Sequence, residues 1–240
     1  MRATEFEFRQ RSWIVTTIYL LGLSFFQFDH VDVVQYLVDR TVGRGALRAD
    51  LLAHVILGAG ALLLFLAAGV RTWAAAYLRS NVVQDPSMHL EAIVPDGPYR
   101  HLRNPLYLGS ILMAFGIGLL VSRTGFLFLT IGLTIFFLRL IGLEEAKLER
   151  EQGERYREYC RWVPRIWPSL KPRLPSGGVT PQWGQAFLGE IHMWGFLVGM
   201  TAFAITLNQR VAWWIVGTAV VLYAVRSYVV SARRNRAPLR

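Results

Sequence analysis

The residues with the clearest chemical character lie in the stretch GPYRHLRNPLYLG, residues 97–109. It joins a turn-rich, charged loop to a strongly apolar run, and it holds two arginines, a histidine and two tyrosines. Asn104 is favoured just before a helix and Pro105 is favoured as a first helical residue, so the sequence predicts a helix from about Pro105. The free N–H groups of such a helix start, with Arg100 and Arg103 close by, favour a bound carboxylate or phosphate.

A second polar feature, the pair Glu144 and Glu145, lies where a later apolar run ends. Two carboxylates at the C-terminal end of a helix are unfavourable unless the helix continues or a cation binds, because the helix dipole is negative there. Good helix formers without proline follow, which predicts one helix through residues 142–159. Neighbouring side chains on a helix point about 100° apart, so we expect only one of the two glutamates to face residues 97–109.

Apolar helices must position these two features. The chain of 240 residues is 53% hydrophobic, with a mean hydropathy of +0.34, which exceeds what a soluble domain of this size needs for its core. Residues 51–70 hold no charged side chain and are long enough to cross a hydrocarbon layer of roughly 30 Å. The sequence therefore predicts an all-α fold, a polytopic transmembrane helical bundle of about six spans. The predicted spans are residues 13–28, 51–70, 106–121, 125–138, 186–207 and 211–230.

The formal net charge of +10 raises the question of a nucleic-acid partner, and the distribution of the basic residues answers it. If the six spans alternate, most of the 26 lysines and arginines lie on the side of the N-terminus, as the positive-inside rule requires of the cytoplasmic side. The basic charge thus indicates topology, and we expect no nucleic-acid partner. Residues 71–105 and 144–185 both fall on that side, where they can meet. We expect Arg139 to reach the membrane interface, with a cofactor contact as the second interpretation.

The organisation along the chain is simple. We predict a single integral membrane domain over residues 1–240, with a core at 50–170 and an additional helical hairpin at 186–230. Ser-Gly-Gly at 176–178 predicts a flexible link. Because Cys160 is the single cysteine, neither an intramolecular disulfide nor a cysteine-based metal site can form, and we predict no metal site. Glu190 and His192 are weaker candidates for groups on the substrate side. Gly195 and Gly199 have the spacing of a helix-packing or homo-oligomer contact, and chance explains it equally well.

Together the two polar features resemble the isoprenylcysteine carboxyl methyltransferase and phospholipid methyltransferase group of integral membrane enzymes. The shared pattern is a Gly-x-Tyr turn and Arg-(His or Asn)-Pro-x-Tyr-x-Gly, then Glu-Glu-x-x-Leu, Gly-x-x-Tyr-x-x-Tyr and Val-Pro-x-x-x-Pro. It covers roughly residues 50–170. The matching residues are Gly97, Tyr99, Arg103, Asn104, Pro105, Tyr107, Gly109, Glu144, Glu145, Leu148, Gly153, Tyr156, Tyr159, Val163, Pro164 and Pro168.

The resemblance implies methyl transfer from S-adenosylmethionine, bound between the two features at the cytoplasmic face of a multi-pass membrane protein. The cofactor's carboxylate suits the helix start and an arginine, and its ammonium and ribose hydroxyls suit a glutamate. Its sulfonium is attracted to the face of a tyrosine ring. The implied catalytic residues are Arg103, Asn104 and Glu145. The implied cofactor-binding residues are Tyr99, His101, Arg103, Asn104, Tyr107, Gly109, Glu144 and Glu145.

The sequence departs from the pattern at Asn104, where the carboxyl methyltransferase branch often has histidine. Asparagine can hydrogen-bond but cannot take a proton at neutral pH, and His101 is either a substitute or an exposed loop residue. A carboxylate acceptor needs no base, whereas an amine or thiol must first lose a proton. We therefore expect a lipid-tailed, isoprenylcysteine-like carboxylate that enters from the bilayer, with a phospholipid amine second. A nicotinamide-dependent membrane reductase and a non-enzymatic transporter or scaffold remain the further alternatives.

Overall fold

The computed structural model describes residues 1–43, 48–78 and 96–208, together with part of 210–225. These residues are helical, and no β-strand occurs among them, which confirms the all-α prediction there. Short 3₁₀ turns lie at Phe25–Gln27 and Gly97–Arg100. The helices are α1 (Glu5–Arg9), α2 (Arg11–Ser24), α3 (Val33–Thr41), α4 (Ala49–Tyr77), α5 (Pro105–Gly118), α6 (Arg123–Gln152), α7 (Glu154–Trp162), α8 (Trp183–Gly189) and α9 (Ile191–Thr206).

Helix α4 lies at the centre of the bundle, with α5 on one side and α9 on another. Helix α5 packs on α6, and α6 in turn packs on α2. Buried residues of α4 and α9 form one apolar cluster, and a second joins α1 and α5 to α6. The largest side chains of these clusters are Leu57, Leu64, Met200, Leu129, Leu133, Phe136, Phe137 and Leu140. The packing places the N-terminal end of α5 beside the C-terminal half of α6.

Two of the described helices, α4 and α6, are long and apolar enough to cross a membrane, with mean hydropathies of 2.4 and 2.3 in their best windows. A third span results if α8 and α9, which meet at a bend of 62°, are counted as one. Helix α5 is apolar but shorter, and α2 has 14 residues. The predicted span at residues 211–230 lies partly outside the described residues.

Three boundaries differ from the prediction. Helix α4 continues to Tyr77, so Arg71 lies within the helix rather than in a loop, because the alanine-rich residues that follow are good helix formers. The predicted helix through residues 142–159 ends before Gly153, whose φ of 56° breaks the helical path and separates α6 from α7. The predicted span at 186–207 breaks at Glu190 into α8 and α9.

The N-terminal residues pack along α6. Arg139 Nη2 of α6 donates to both carboxylate oxygens of Glu7 in α1, at 2.7 and 2.8 Å. The backbone N–H of Ala3 donates to the Arg139 carbonyl at 2.9 Å. Neither interpretation of Arg139 from the sequence anticipated this ion pair, because its partner lies 132 positions away along the chain.

Candidate active site

The two polar features meet where α5 begins beside α6. The Tyr107 hydroxyl donates to Glu144 Oε1 at 2.7 Å, and Asn104 Nδ2 donates to Glu145 Oε1 at 3.1 Å. The expectation that only one glutamate faces residues 97–109 is therefore wrong. Asn104 precedes α5 and Tyr107 lies within its first turn, so each reaches a carboxylate that points in a different direction.

Asn104 occupies the predicted position directly before the helix, and α5 begins at Pro105 as expected. Its side chain makes no capping hydrogen bond to the helix. Instead, Nδ2 donates to the Arg165 carbonyl at 3.0 Å as well as to Glu145. The amide of Asn104 thus connects the start of α5 to α6 and to the segment after α7, a role that needs a donor and no titratable proton.

Glu145 lies between two guanidinium groups. Arg165 Nε is 2.8 Å from Glu145 Oε2, and Arg103 Nε is 3.6 Å from Glu145 Oε1. Sequence reasoning missed Arg165, although it stands inside the Val-Pro-x-x-x-Pro pattern at one of the unspecified positions. The carboxylate therefore faces two cations and one amide donor.

Arg103 is the most enclosed cation of the site. Its Nη1 donates to Cys160 Sγ, and its backbone N–H donates to the Pro164 carbonyl at 2.9 Å. Burial alone would lower the pKa of the guanidinium, but Glu145 and Cys160 outweigh this and raise the pKa above its ordinary value. Its Nε is buried and has no hydrogen-bond acceptor among the described residues. Arg103 thus keeps a permanent charge and one unused donor.

His101 lies against the segment that follows α7. Its Nδ1 is 2.7 Å from the Ser169 carbonyl, and the Ser169 N–H donates back to the His101 carbonyl at 2.9 Å. The imidazole ring centre is 5.6 Å from that of Trp73 in α4. In the described structure His101 anchors this segment, and its contact with a cofactor stays a prediction.

Asp96 binds a later part of the segment that follows α7. Its buried carboxylate accepts hydrogen bonds from the Ser176 hydroxyl and from the N–H groups of Gly177 and Val179, at 2.9 and 2.8 Å for the two backbone donors. Burial acts to raise the pKa of Asp96, but these donors outweigh it and lower the pKa. The predicted flexible link at 176–178 is therefore tied to the residue just before the first motif.

The tyrosines of α7 pack beneath the 3₁₀ turn Gly97–Arg100, and one of them is hydrogen-bonded to it. The Tyr159 hydroxyl donates to the Tyr99 carbonyl at 2.8 Å, and the rings of Tyr156 and Tyr159 lie 6.1 Å apart. Burial raises the pKa of both Tyr156 and Tyr159, so these hydroxyls remain protonated donors at neutral pH. The carbonyl of Tyr99, rather than its ring, makes this contact.

Gly109 faces α4. A Cβ atom at this position would lie 2.4 Å from Arg71 Cγ and 3.0 Å from the Ala67 carbonyl oxygen. The glycine therefore lets α4 and α5 approach, and its assignment to cofactor binding stays a prediction. Arg71 in turn pairs with Glu190 at 2.7 Å, so Glu190 forms an internal ion pair rather than an open group on the substrate side.

The assembled site places a partly buried guanidinium next to two adjacent carboxylates and a tyrosine hydroxyl. Such a set can hold a small zwitterion, with its anionic group at Arg103 and its cationic or hydroxyl groups at Glu144 and Tyr107. All the residues predicted for the site belong to the described structure. Tyr107 contacts Glu144, and Arg103 and Asn104 both contact Glu145, whereas Tyr99, His101 and Gly109 lie nearby.

Comparison with known proteins gives one match. Residues 55–155 match the family model described as phospholipid methyltransferase, a range that includes α5 and both glutamates. No curated protein and no solved structure matches the chain significantly. The match points to a methyltransferase whose apolar helices are those of a membrane protein. Residues 55–155 of this chain are therefore similar to the phospholipid methyltransferase family, which confirms over that range the resemblance seen in the two motifs.

Proposed function

We propose that this protein is an S-adenosylmethionine-dependent membrane methyltransferase that acts on a lipophilic acceptor. The observation that carries the proposal is the meeting of Glu144 and Glu145 with Tyr107, Asn104 and Arg103. These are residues of the two sequence motifs, and they make two neighbouring contacts between the start of α5 and α6: Tyr107 with Glu144, and Asn104 and Arg103 with Glu145. The family match supports the reaction class.

The residues present fit the cofactor. Arg103 is partly buried and permanently charged, and its buried Nε, 3.6 Å from Glu145, makes no hydrogen bond in the described part of the chain, so the guanidinium can bind a carboxylate. Glu144 has one oxygen bonded to Tyr107, and carboxylate oxygens can accept further hydrogen bonds from an ammonium or a ribose hydroxyl. Bound S-adenosylmethionine would supply a methyl group activated by its sulfonium.

The chain's own residues then have separate tasks. Arg103 and the first turn of α5 bind the anionic end of the cofactor, where the helix dipole is positive. Glu144 and Tyr107 together orient the polar groups of the cofactor, and Asn104 holds the Glu145 carboxylate in place. Displacement at a sulfonium methyl mainly requires alignment and a dry pocket, so positioning by these residues supplies most of the catalysis.

The acceptor follows from the same reasoning. We propose six alternating spans with the site at the cytoplasmic face, so that a lipid-tailed substrate enters laterally from the bilayer. Asn104 binds Glu145 as an amide donor and supplies no base, although the carboxyl methyltransferase branch often has histidine at this position. A carboxylate acceptor, which has no proton to lose, suits this site best, and an isoprenylcysteine-like carboxylate is the first candidate.

A phospholipid amine headgroup is the second candidate, favoured by the description of the matching family model. It would require the amine to arrive deprotonated or to lose its proton to Glu144. A nicotinamide-dependent reductase and a transporter receive no support from the match.

The cofactor assignment is tested by the thermal stability of detergent-purified protein with S-adenosylmethionine, with S-adenosylhomocysteine and with a nicotinamide cofactor. A ligand that binds only the folded protein raises the unfolding temperature. We expect both sulfur compounds to stabilise the wild type, and neither to stabilise Arg103→Ala or Glu145→Ala. Stabilisation by the nicotinamide cofactor alone would contradict the proposal.

The acceptor is identified with methyl-labelled S-adenosylmethionine in membranes that contain the protein. A carboxyl methyl ester releases volatile methanol on treatment with alkali, whereas an N-methyl group stays on its nitrogen and gives no volatile product. We expect the fraction that contains the lipid-tailed acceptor to carry a methyl label that alkali releases. Alkali-stable label in phospholipid would establish the second candidate instead, and label in neither fraction would exclude a lipophilic acceptor.

A further inference from the structure

An ion pair beside the site joins three parts of the bundle. Arg71 of α4 donates from Nε and Nη2 to the two carboxylate oxygens of Glu190, at 2.7 and 3.0 Å. Its Nη1 donates to Ser110 Oγ at 2.8 Å and to the Leu106 carbonyl at 3.3 Å, both in α5. Because a planar guanidinium can donate two parallel hydrogen bonds to one carboxylate, this ion pair fixes the orientation of the two side chains as well as the distance between them.

The contact reaches the first turn of α5, directly next to the proposed site. Leu106 precedes Tyr107 in the chain, and Ser110 Oγ donates to the same Leu106 carbonyl at 3.0 Å. Tyr107 is held on its other side by Glu144. The first turn of α5 is thus fixed by Arg71 on the α4 side and by Glu144 on the α6 side.

Gly109 makes this arrangement possible. The Arg71 side chain passes where a Cβ of residue 109 would be, with its Cγ only 2.4 Å from that position. A backbone carbonyl of α4 would also be met at 3.0 Å, so a side chain could not simply be accommodated. The last glycine of the Arg-Asn-Pro-x-Tyr-x-Gly motif therefore gives Arg71 its path to Leu106.

Glu190 brings a distant part of the chain into the site. It lies at the bend between α8 and α9, outside residues 55–155 that match the family model, and it is only 1% exposed. An arginine in such surroundings needs its carboxylate, because an unpaired buried charge is strongly unfavourable. The helical pair after the core is therefore coupled to α5 through one ion pair.

We propose that Arg71 and Glu190 are positioning residues for methyl transfer. They hold the first turn of α5 so that Tyr107 stays aligned with Glu144, and the residues after the family core thereby set the affinity for the cofactor. This inference rests on the proposed function.

The test compares Glu190→Gln with the matched control Asp29→Asn. Asp29 also pairs with an arginine, Arg123, through both carboxylate oxygens, but at the far end of α6. For each purified variant we would measure the unfolding temperature without ligand and the Kd for S-adenosylhomocysteine well below that temperature. We expect both variants to be less stable, but only Glu190→Gln to weaken the ligand, by fivefold or more.

Two further variants separate positioning from stability. Arg71→Gln combined with Glu190→Gln removes both charges, so we expect the unfolding temperature to recover while the Kd stays weak. Glu190→Asp keeps the charge but shortens its reach, so we expect a Kd between those of wild type and Glu190→Gln.

The possible results can be told apart. A wild-type Kd in Glu190→Gln or in the double variant would overturn the positioning role and leave the proposed function intact. A wild-type Kd in Glu190→Asp would support the role, because the charge that pairs with Arg71 is kept. An equal loss of affinity in Asp29→Asn would also overturn it, because the effect would then be a general consequence of instability. If the wild type binds no S-adenosylhomocysteine, both the proposed function and the positioning role of Arg71 and Glu190 are contradicted.

Discussion

Tyr107 on α5 and Glu144 on α6 are joined by a hydrogen bond of 2.7 Å in which the tyrosine donates to the carboxylate. The bond connects residues 37 positions apart and belongs to the contact between the two motifs on which the proposed function rests. Hydrogen bonds to a charged group are the strong ones, worth about 1.5–3 kcal/mol.

Tyr107→Phe removes only the hydroxyl that donates to Glu144. If the bond persists in the transition state, its loss of about 1.5–3 kcal/mol corresponds to a decrease in kcat/KM of roughly 10- to 150-fold. Methyl incorporation measured at several acceptor concentrations checks this value. Tyr36→Phe, on α3 and close to Arg123 rather than to the site, is the matched control and should retain full activity. Full activity in Tyr107→Phe would show that the hydroxyl plays no part.

Asn104 is a donor to Glu145, so the identity of the replacing group decides the outcome. Asn104→Asp places a second carboxylate beside Glu145, and we expect it to lose more activity than Asn104→Ala because like charges repel. Asn104→His supplies a ring N–H and is the residue often found in the carboxyl methyltransferase branch, so it should retain the most activity. Steady-state methyl transfer near pH 7.5 ranks the three variants. The reverse order for aspartate and alanine would contradict the donor role.

Gly109→Ala should destabilise the protein by about 1–3 kcal/mol, because the new methyl group overlaps Arg71 and the backbone of α4. Gly58→Ala in α4 meets nothing within 4 Å and should stabilise the helix by about 0.5–1 kcal/mol. Thermal unfolding in detergent, without ligand, measures both variants. Equal unfolding temperatures for the two would mean that Gly109 does not serve helix packing.

Asp29 should make the stability of the folded protein depend on pH in the acid range. Its hydrogen bonds from Arg123, opposed by burial and aided by the N–H of Thr124, lower the pKa of the carboxyl to about 2. Because the folded protein has the lower pKa, the stabilising contribution is complete above the ordinary carboxyl pKa near 4 and disappears as the pH falls through about 2. The difference in unfolding temperature between wild type and Asp29→Asn should therefore be constant from pH 7 to about 5. It should shrink steadily below about pH 4, and a difference that grows in acid would reverse the assignment.

Local sequence signals predicted much of the fold and the site. The start of α5 at Pro105, the helix through Glu144 and Glu145 and the meeting of the two motifs all follow from proline, apolar and charged residues that act over a few positions. The pairs Arg71–Glu190 and Arg139–Glu7 were missed because their members lie more than 100 positions apart. The use of both glutamates was missed because helix periodicity describes one helix, whereas their partners stand at two positions on another.

The uninterrupted length of α6 gives the site a mechanical link to the bilayer. This helix has 30 residues, about 45 Å, and carries Arg123 at one end and the two glutamates in its last third. The first turn of α5, in contrast, is fixed to α4 through Arg71. Helix α4 is almost as long, with 29 residues, so a thinner bilayer makes both apolar helices tilt, and any difference between their tilts moves Glu144 relative to Tyr107. We therefore expect methyl transfer in vesicles of increasing acyl-chain length to pass through a maximum, at the membrane thickness that keeps these two residues in contact.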